Sequence, residues 1–128
     1  MRHPQLIVWE ADGRLAALLR PLAEGQRWSF REVRQGDECL RLLHPGGPAV
    51  VVLRIGRDLA QEFDLIERLG WRHPAACTVV VAEAGHARLA GLAWDLGAAY
   101  VHLPPAPREG LVAVVAGLMN VAFLEDAE

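Results

Sequence analysis

Short runs of consecutive apolar residues alternate along the chain with longer stretches in which apolar residues recur every three or four positions. Leu6-Ile7-Val8-Trp9, Ala49-Val50-Val51-Val52-Leu53 and Thr78-Val79-Val80-Val81-Ala82 are of the first kind. Such runs, β-branched and apolar on both sides, suit strands buried on both faces of a parallel sheet. Trp28 to Arg34 mixes aromatic, β-branched and charged residues, as an edge strand would. Tyr100-Val101-His102-Leu103 reads as a fifth short strand, closed by Pro104-Pro105.

The second kind of stretch predicts five helices. Asp12 stands as N-cap before Leu15, Leu18, Leu19 and Leu22, and Pro21 inside that pattern predicts a kink or an early end. Asp37 to His44 is a short second helix, stopped by Pro45-Gly46-Gly47. Asp58 with Gln61 forms a capping box for a third, whose apolar positions Leu59, Phe63, Ile66 and Leu69 run to Gly70. Leu89, Leu92, Ala93 and Leu96 mark a fourth, ended by Gly97, and Pro107 opens a fifth over Arg108 to Leu124.

A β-α unit repeated five times implies one α/β domain over residues 1–128, a doubly wound parallel sheet with helices on both faces. Ligands of such folds bind at the carboxyl ends of the strands. That edge holds Glu10 to Asp12, Arg54 to Arg57, Ala82 to Ala84 and Pro104-Pro105.

Composition narrows the chemistry. The 128 residues are 52% hydrophobic and 23% charged, which is enough for one core without staples. Thirteen basic against 16 acidic residues give a net charge of -3 and no footprint for nucleic acid. Arg27, Arg31 and Arg34 interleave with Trp28 and Phe30, but nearby Glu24, Glu32, Asp37 and Glu38 dilute them, so a solvated edge strand is the reading. Every basic residue is Arg, so mechanisms that need a lysine amine are excluded. Ser29 and Thr78 are the only hydroxyl residues of their kind, and neither lies at the binding edge. There is no phosphate loop, Gly-x-Gly-x-x-Gly or nucleophile elbow. His3, His44, His73, His86 and His102 show no metal-ligand spacing, and Cys39 and Cys77 read as reduced, packing thiols. Asp58, Glu62 and Asp64 read as a solvated helix face. No metal, cofactor or catalytic group is predicted. The N-terminus has no signal-peptide core and no run is long enough to span a membrane, so the expected location is cytoplasmic.

Two segments resemble the receiver domain of response regulators. Pro48-Ala49-Val50-Val51-Val52-Leu53 resembles the strand that leads to the phospho-accepting aspartate. Gly97-Ala98-Ala99-Tyr100-Val101-His102-Leu103-Pro104-Pro105 resembles the family's Gly-Ala-Asp-Asp-Tyr-x-x-Lys-Pro segment. The resemblance covers nearly the whole chain and implies a flavodoxin-like, five-stranded sheet of order 2-1-3-4-5. It also implies a bacterial two-component setting.

The family's reactive residues do not carry over. Its metal-holding acidic pair corresponds to Glu10 and Ala11, with Asp12 next; its phospho-acceptor to Arg54; its switch hydroxyl to Ala82; and its lysine to Pro104. The aromatic switch position corresponds to Val101, one residue from Tyr100. Arginine cannot form an acyl phosphate, and it repels Mg²⁺. A degenerate, phosphorylation-independent receiver follows, which is not an enzyme and which acts through a protein partner or self-association. An anion or small-molecule sensor at Arg54 and Arg57 is the alternative. A Glu10–Arg54 ion pair is expected to fill the vacated site, and breaking such a partly buried pair commonly costs about 3–5 kcal/mol.

The fifth helix offers the interaction surface. No charge occurs from Gly110 to Leu124. Leu111, Val114, Val115, Leu118 and Ala122 supply the inward stripe, leaving Ala113, Ala116, Gly117, Asn120 and Leu124 outside. Trp94 lies outside the apolar stripe of the fourth helix. In the receiver family the face made by the fourth helix, fifth strand and fifth helix serves dimerisation and partner binding. A homodimer or partner contact centred there is expected, with neither nucleic acid nor membrane as partner.

Overall fold

Alternation along the central strands sets up two hydrophobic layers. The computed structural model describes residues 4–24, 26, 28–44 and 46–127, and the side chains of all of these except 84 and 122–127. Its strands are β1 (Gln5–Trp9), β2 (Ser29–Val33), β3 (Ala49–Arg54), β4 (Ala76–Val81) and β5 (Tyr100–His102). They pair in parallel in the order β2-β1-β3-β4-β5. Helices α1 (Arg14–Ala23), α2 (Gly36–Leu43), α3 (Leu59–Arg72), α4 (Ala90–Asp95) and α5 (Arg108–Ala127) follow the strands in turn. The doubly wound fold and strand order are as expected.

Successive side chains of a strand point to opposite faces. Leu6, Val8, Val50 and Val52 therefore pack with Leu15 and Leu19 of α1 and Leu111, Val115 and Met119 of α5. Ile7, Val51 and Leu53 pack on the other face with Cys39 and Leu43 of α2, Leu65 and Leu69 of α3, and Ala93 of α4. Both faces are covered, so β1 and β3 are buried almost throughout, which is why their sequences run apolar without interruption. Cys39 is buried, and burial pushes its thiol up to about 12, away from thiolate chemistry. Cys77 is half-buried.

Helix boundaries depart from expectation where local chemistry was misread. Gly13, at φ 81°, is the N-cap of α1, and Asp12 sits one residue before it, accepting from the Arg14 amide at 3.0 Å. Pro21 lies in the last turn of α1, which runs two residues past it. The capping box of α3 is half formed. Asp58 accepts from the Gln61 amide at 3.3 Å, but the Asp58 amide is taken by Glu62. That helix continues through Gly70 to Arg72.

The fourth helical region is a 3₁₀ segment, Ala84–Leu89, followed by only six residues of α-helix. Ala93 alone of its stripe is fully buried, and Leu92 is 45% exposed. On α5, Met119 joins the inward stripe while Val114 is only half-buried. Ala122 and Leu124 fall among the side chains outside the described set, as does Arg27 among the residues. No helix of the described residues is long and apolar enough to cross a membrane.

The layer assignment makes a stability prediction. Leu53→Ala empties a fully buried position on the central strand and is expected to cost about 2–5 kcal/mol in urea unfolding. Leu92→Ala, on the exposed side of α4, is expected to change stability by less than about 0.5 kcal/mol. Equal losses would contradict the placement of these two leucines.

Candidate functional site

A cleft of about 640 Å³ opens at the carboxyl edge of the sheet. Glu10, Ala11 and Asp12 after β1, Arg54 at the end of β3, the loop Ile55–Asp58, Glu62 of α3, and Glu83 and His86 after β4 line it. Four of the six positions expected there, Glu10, Ala11, Asp12 and Arg54, are in the wall. The other two are not. Ala82 is buried behind it, its amide bonded to the His102 carbonyl at 3.0 Å, and Pro104 is exposed and turned into the following bend, where the Pro104–Pro105 peptide is cis.

Glu10 faces inward and is 5% exposed. Its two oxygens accept the Leu15 and Ala16 amides at 2.9 and 3.0 Å, satisfying donors that the first turn of α1 leaves open. The partial positive charge of a helix start suits a carboxylate there. Burial still pushes the Glu10 carboxyl up, the neighbouring Asp12 carboxyl adds to that, and the two amides pull it back. Asp12 moves the other way, to about 2: a hydrogen bond shared with Glu10, the Arg14 amide and the charges of Arg54 and Arg14 hold it down. Of this pair Asp12 ionises first and Glu10 last.

The expected Glu10–Arg54 pair does not form. Nη1 of Arg54 donates to Oδ2 of Asp12 at 3.1 Å, and Nε lies 3.7 Å from Oε1 of Glu83. The Glu10 carboxylate is instead turned onto the start of α1, where it accepts the Leu15 and Ala16 amides. The Arg54 side chain is 17% exposed, and its Nε and Nη2 are buried without a hydrogen bond. Arg34, which could have belonged to a surface patch, instead donates Nη1 to the Glu10 and Ala11 carbonyls and ties β2 to the end of β1.

Glu62 is the site residue that the sequence hid. It is 4% exposed, not part of a solvated face. Its carboxylate accepts the Gly56 amide at 2.8 Å, with longer bonds from Arg57 at 3.4 Å and Asp58 at 3.3 Å. It therefore fixes the loop after β3. Gly56, at φ 131°, sits against His86, whose ring would be 3.0 Å from any added Cβ. His86 Nδ1 is buried without a partner. A signal for Glu62 existed only in its place one turn into a helix that follows a binding-edge loop.

A divalent ion needs free carboxylate oxygens. Here the Arg54 guanidinium is bonded to Oδ2 of Asp12 and lies 3.7 Å from Glu83, so a fixed cation already stands among the carboxylates and repels a second one. The donor set does not fit Mg²⁺.

No protein-family model and no curated protein matches the sequence. Solved structures do match. The fold is that of a response-regulator receiver domain. The signal receiver domain of a protein described as a LuxO repressor, from Vibrio parahaemolyticus, superposes with a TM-score of 0.76 at 18% identity, covering 98% of this chain and 97% of that one. The signal receiver domain of an HD domain-containing protein from Pseudomonas fluorescens Pf-5 gives 0.76 at 14% identity, covering 100% and 95%. Full-length FixJ from B. japonicum gives 0.72 at 18% identity, covering 92% of this chain and 58% of that one. Identities this low speak for the receiver fold, while the chemistry at its edge rests on the residues described above.

Two outcomes test the site. A double-mutant cycle is expected to show favourable coupling between Arg54 and Asp12 that exceeds any between Arg54 and Glu10; the reverse order would restore the pair expected from sequence. The second concerns acid. Asp12 ionises lower in the folded chain than in the unfolded one, so its contribution is complete above about pH 4 and is lost as pH falls toward 2. The stability gap between wild type and Asp12→Asn should accordingly narrow across that window. A gap unchanged with pH would show that the carboxylate charge does not matter.

Proposed function

We propose that this chain is a receiver-fold signalling module that works without phosphoryl transfer and acts by binding a protein partner or a second copy of itself. The observation that carries the reading is Arg54. A guanidinium, not a carboxylate, ends β3 in the cleft, and Asp12 and Glu83 neutralise it. No acyl phosphate can form on it, and its fixed positive charge stands where a divalent ion would have to sit among the carboxylates. Loss of a lysine from the whole chain agrees with this. On this reading the positions Glu10, Ala11, Asp12, Arg54, Ala82 and Pro104 are a vestige, and the chain has no catalytic residue.

The anion-sensor alternative is weaker on charge. Five carboxylates line the cleft, from Glu10, Asp12, Asp58, Glu62 and Glu83, against three guanidiniums, from Arg34, Arg54 and Arg57. An anion entering it meets a surplus of negative charge.

Self-association is supported by the surface flanking the edge strand β5. Trp94 is 48% exposed on α4, in one helical layer. Ala113, Gly117 and Asn120 are exposed and Ala116 is half-buried on α5, in the other layer, with Val121 beside them at 51% exposure. Small side chains let a second helix approach closely, and an uncharged outer helix face in an otherwise charged protein calls for a cover. A Cβ added at Gly117 meets nothing within 4 Å, so substitution there leaves the fold intact.

The test has two arms. Acetyl phosphate or beryllofluoride with Mg²⁺ is expected to produce no mass change and no thermal shift; a phosphoryl adduct on Asp12 or Asp58 would overturn the phosphorylation-independent reading. In sedimentation, Ala116→Arg and Gly117→Arg are expected to turn a wild-type dimer into a folded monomer. A wild type that is monomeric at high concentration, with unchanged variants, would end the self-association reading.

A further inference from the structure

At the amino edge of the sheet, opposite the cleft, the last turns of α2 and α3 converge. A groove of about 460 Å³ between them is lined by Leu40, Arg41, His44, Arg72 and His73. Every polar residue in its wall is cationic or can become so, and none is acidic. This stands out in a chain of net charge -3. Among the described residues, neither Arg41 nor Arg72 takes part in an ion pair, as is also true of Arg20, Arg31, Arg57, Arg88 and Arg108; what sets these two apart is that they line one groove with no acid in its wall.

Part of this charge complements the carbonyl ends of two helices, which favour cations. That role needs the arginines near the helix ends, but it does not require two helices to turn theirs into one shared groove. Burial, then the neighbouring His44 and Arg72, push the His73 imidazole down, as crowding of positive groups without a counter-charge would. Trp71, the residue before Arg72 on α3 and outside the groove wall itself, is 83% exposed, the most exposed large apolar residue described. Tryptophan and arginine are among the residue types that dominate binding energy at protein interfaces.

We infer that this groove docks an acidic segment of a partner protein, its carboxylates on Arg41 and Arg72 and an apolar side chain against Trp71. The partner is identified by charge complementarity. Bidentate guanidinium–carboxylate contacts suit two arginines that have no internal partner. A nucleic acid fits less well, because a chain of net charge -3 repels a long polyanion. This surface is separate from the one flanking β5, and it stands or falls independently of the phosphorylation-independent reading.

The probe is a fluorescein-labelled peptide of repeating Glu-Glu-Leu, titrated with the intact chain at low salt and followed by anisotropy. Saturable binding is expected, weakened at least tenfold by Arg41→Glu and by Arg72→Glu, and several-fold by Trp71→Ala. Arg57→Glu, a charge reversal in the cleft at the opposite edge, should leave binding unchanged. Thermal melts confirm folding of each variant, and Arg72→Gln serves if the reversed charge unfolds the chain. No saturable binding by wild type, or equal losses in Arg57→Glu and Arg72→Glu, would overturn the proposal. Displacement of the peptide by equimolar inorganic phosphate, or tighter binding of a dT hexamer, would overturn it too, in favour of a small-anion or a nucleic-acid site.

Discussion

The carboxyl edge of this protein is organised by carboxylates that receive backbone amides. Glu10 takes the two open donors at the start of α1, and Glu62 takes those of the loop after β3. Each is nearly excluded from water, and a buried carboxylate is tolerable only when its oxygens are bonded. The arrangement fixes where α1 begins and how the Ile55–Asp58 loop lies. It also decides which acid remains for Arg54. With Glu10 and Glu62 committed to the main chain, the guanidinium turns to the two more exposed carboxylates, Asp12 and Glu83.

The same constraint explains the charge state of the edge. Two neighbouring carboxyls cannot both ionise easily, so Glu10, buried, retains its proton longer, while Asp12, beside Arg54 and the Arg14 amide, gives its proton up first. A cation fixed by the chain occupies the space between acids at which a mobile cation would otherwise be needed. Because that cation is covalently part of β3, it offsets part of the edge's negative charge whatever the ionic conditions.

Much of the fold was legible because periodicity reports burial. The unbroken apolar runs of β1, β3 and β4 and the 3.6-residue patterns of α1 and α3 could satisfy their surfaces only in a two-layered parallel sheet. The site was less legible. Glu62 carries the same spacing as Asp58 and Asp64 around it, and nothing in a helix pattern separates an acid facing solvent from one folded back over the preceding loop. Glu10 and Asp12 were both placed at the edge, yet which of them meets Arg54 depends on which receives the amides of α1, a matter of backbone path. Leu92 was misread because a stripe of four apolar residues implies a full helix, whereas α4 has only six residues and buries one of them fully. Trp71 left no periodic signal, since a single exposed aromatic at a helix end breaks no pattern.

The separation between core and edge has a wider consequence. Residues that define the fold, such as Val8, Val51 and Val80, lie inside the sheet and touch none of the cleft. The receiver fold is accordingly shared with the neighbours described above at only 14–18% identity. Fold likeness then carries no information about whether a phosphoryl group is handled; only the identity and bonding of the edge side chains do. In this chain several of those side chains are tied into carboxylate–amide and carboxylate–guanidinium contacts. The unspent surface lies elsewhere: the uncharged flank of α5 and the unpaired arginines between α2 and α3. Both are built from helices on the outside of the two layers, where substitutions do not disturb the core, and that is where a module of this fold has room to acquire partners.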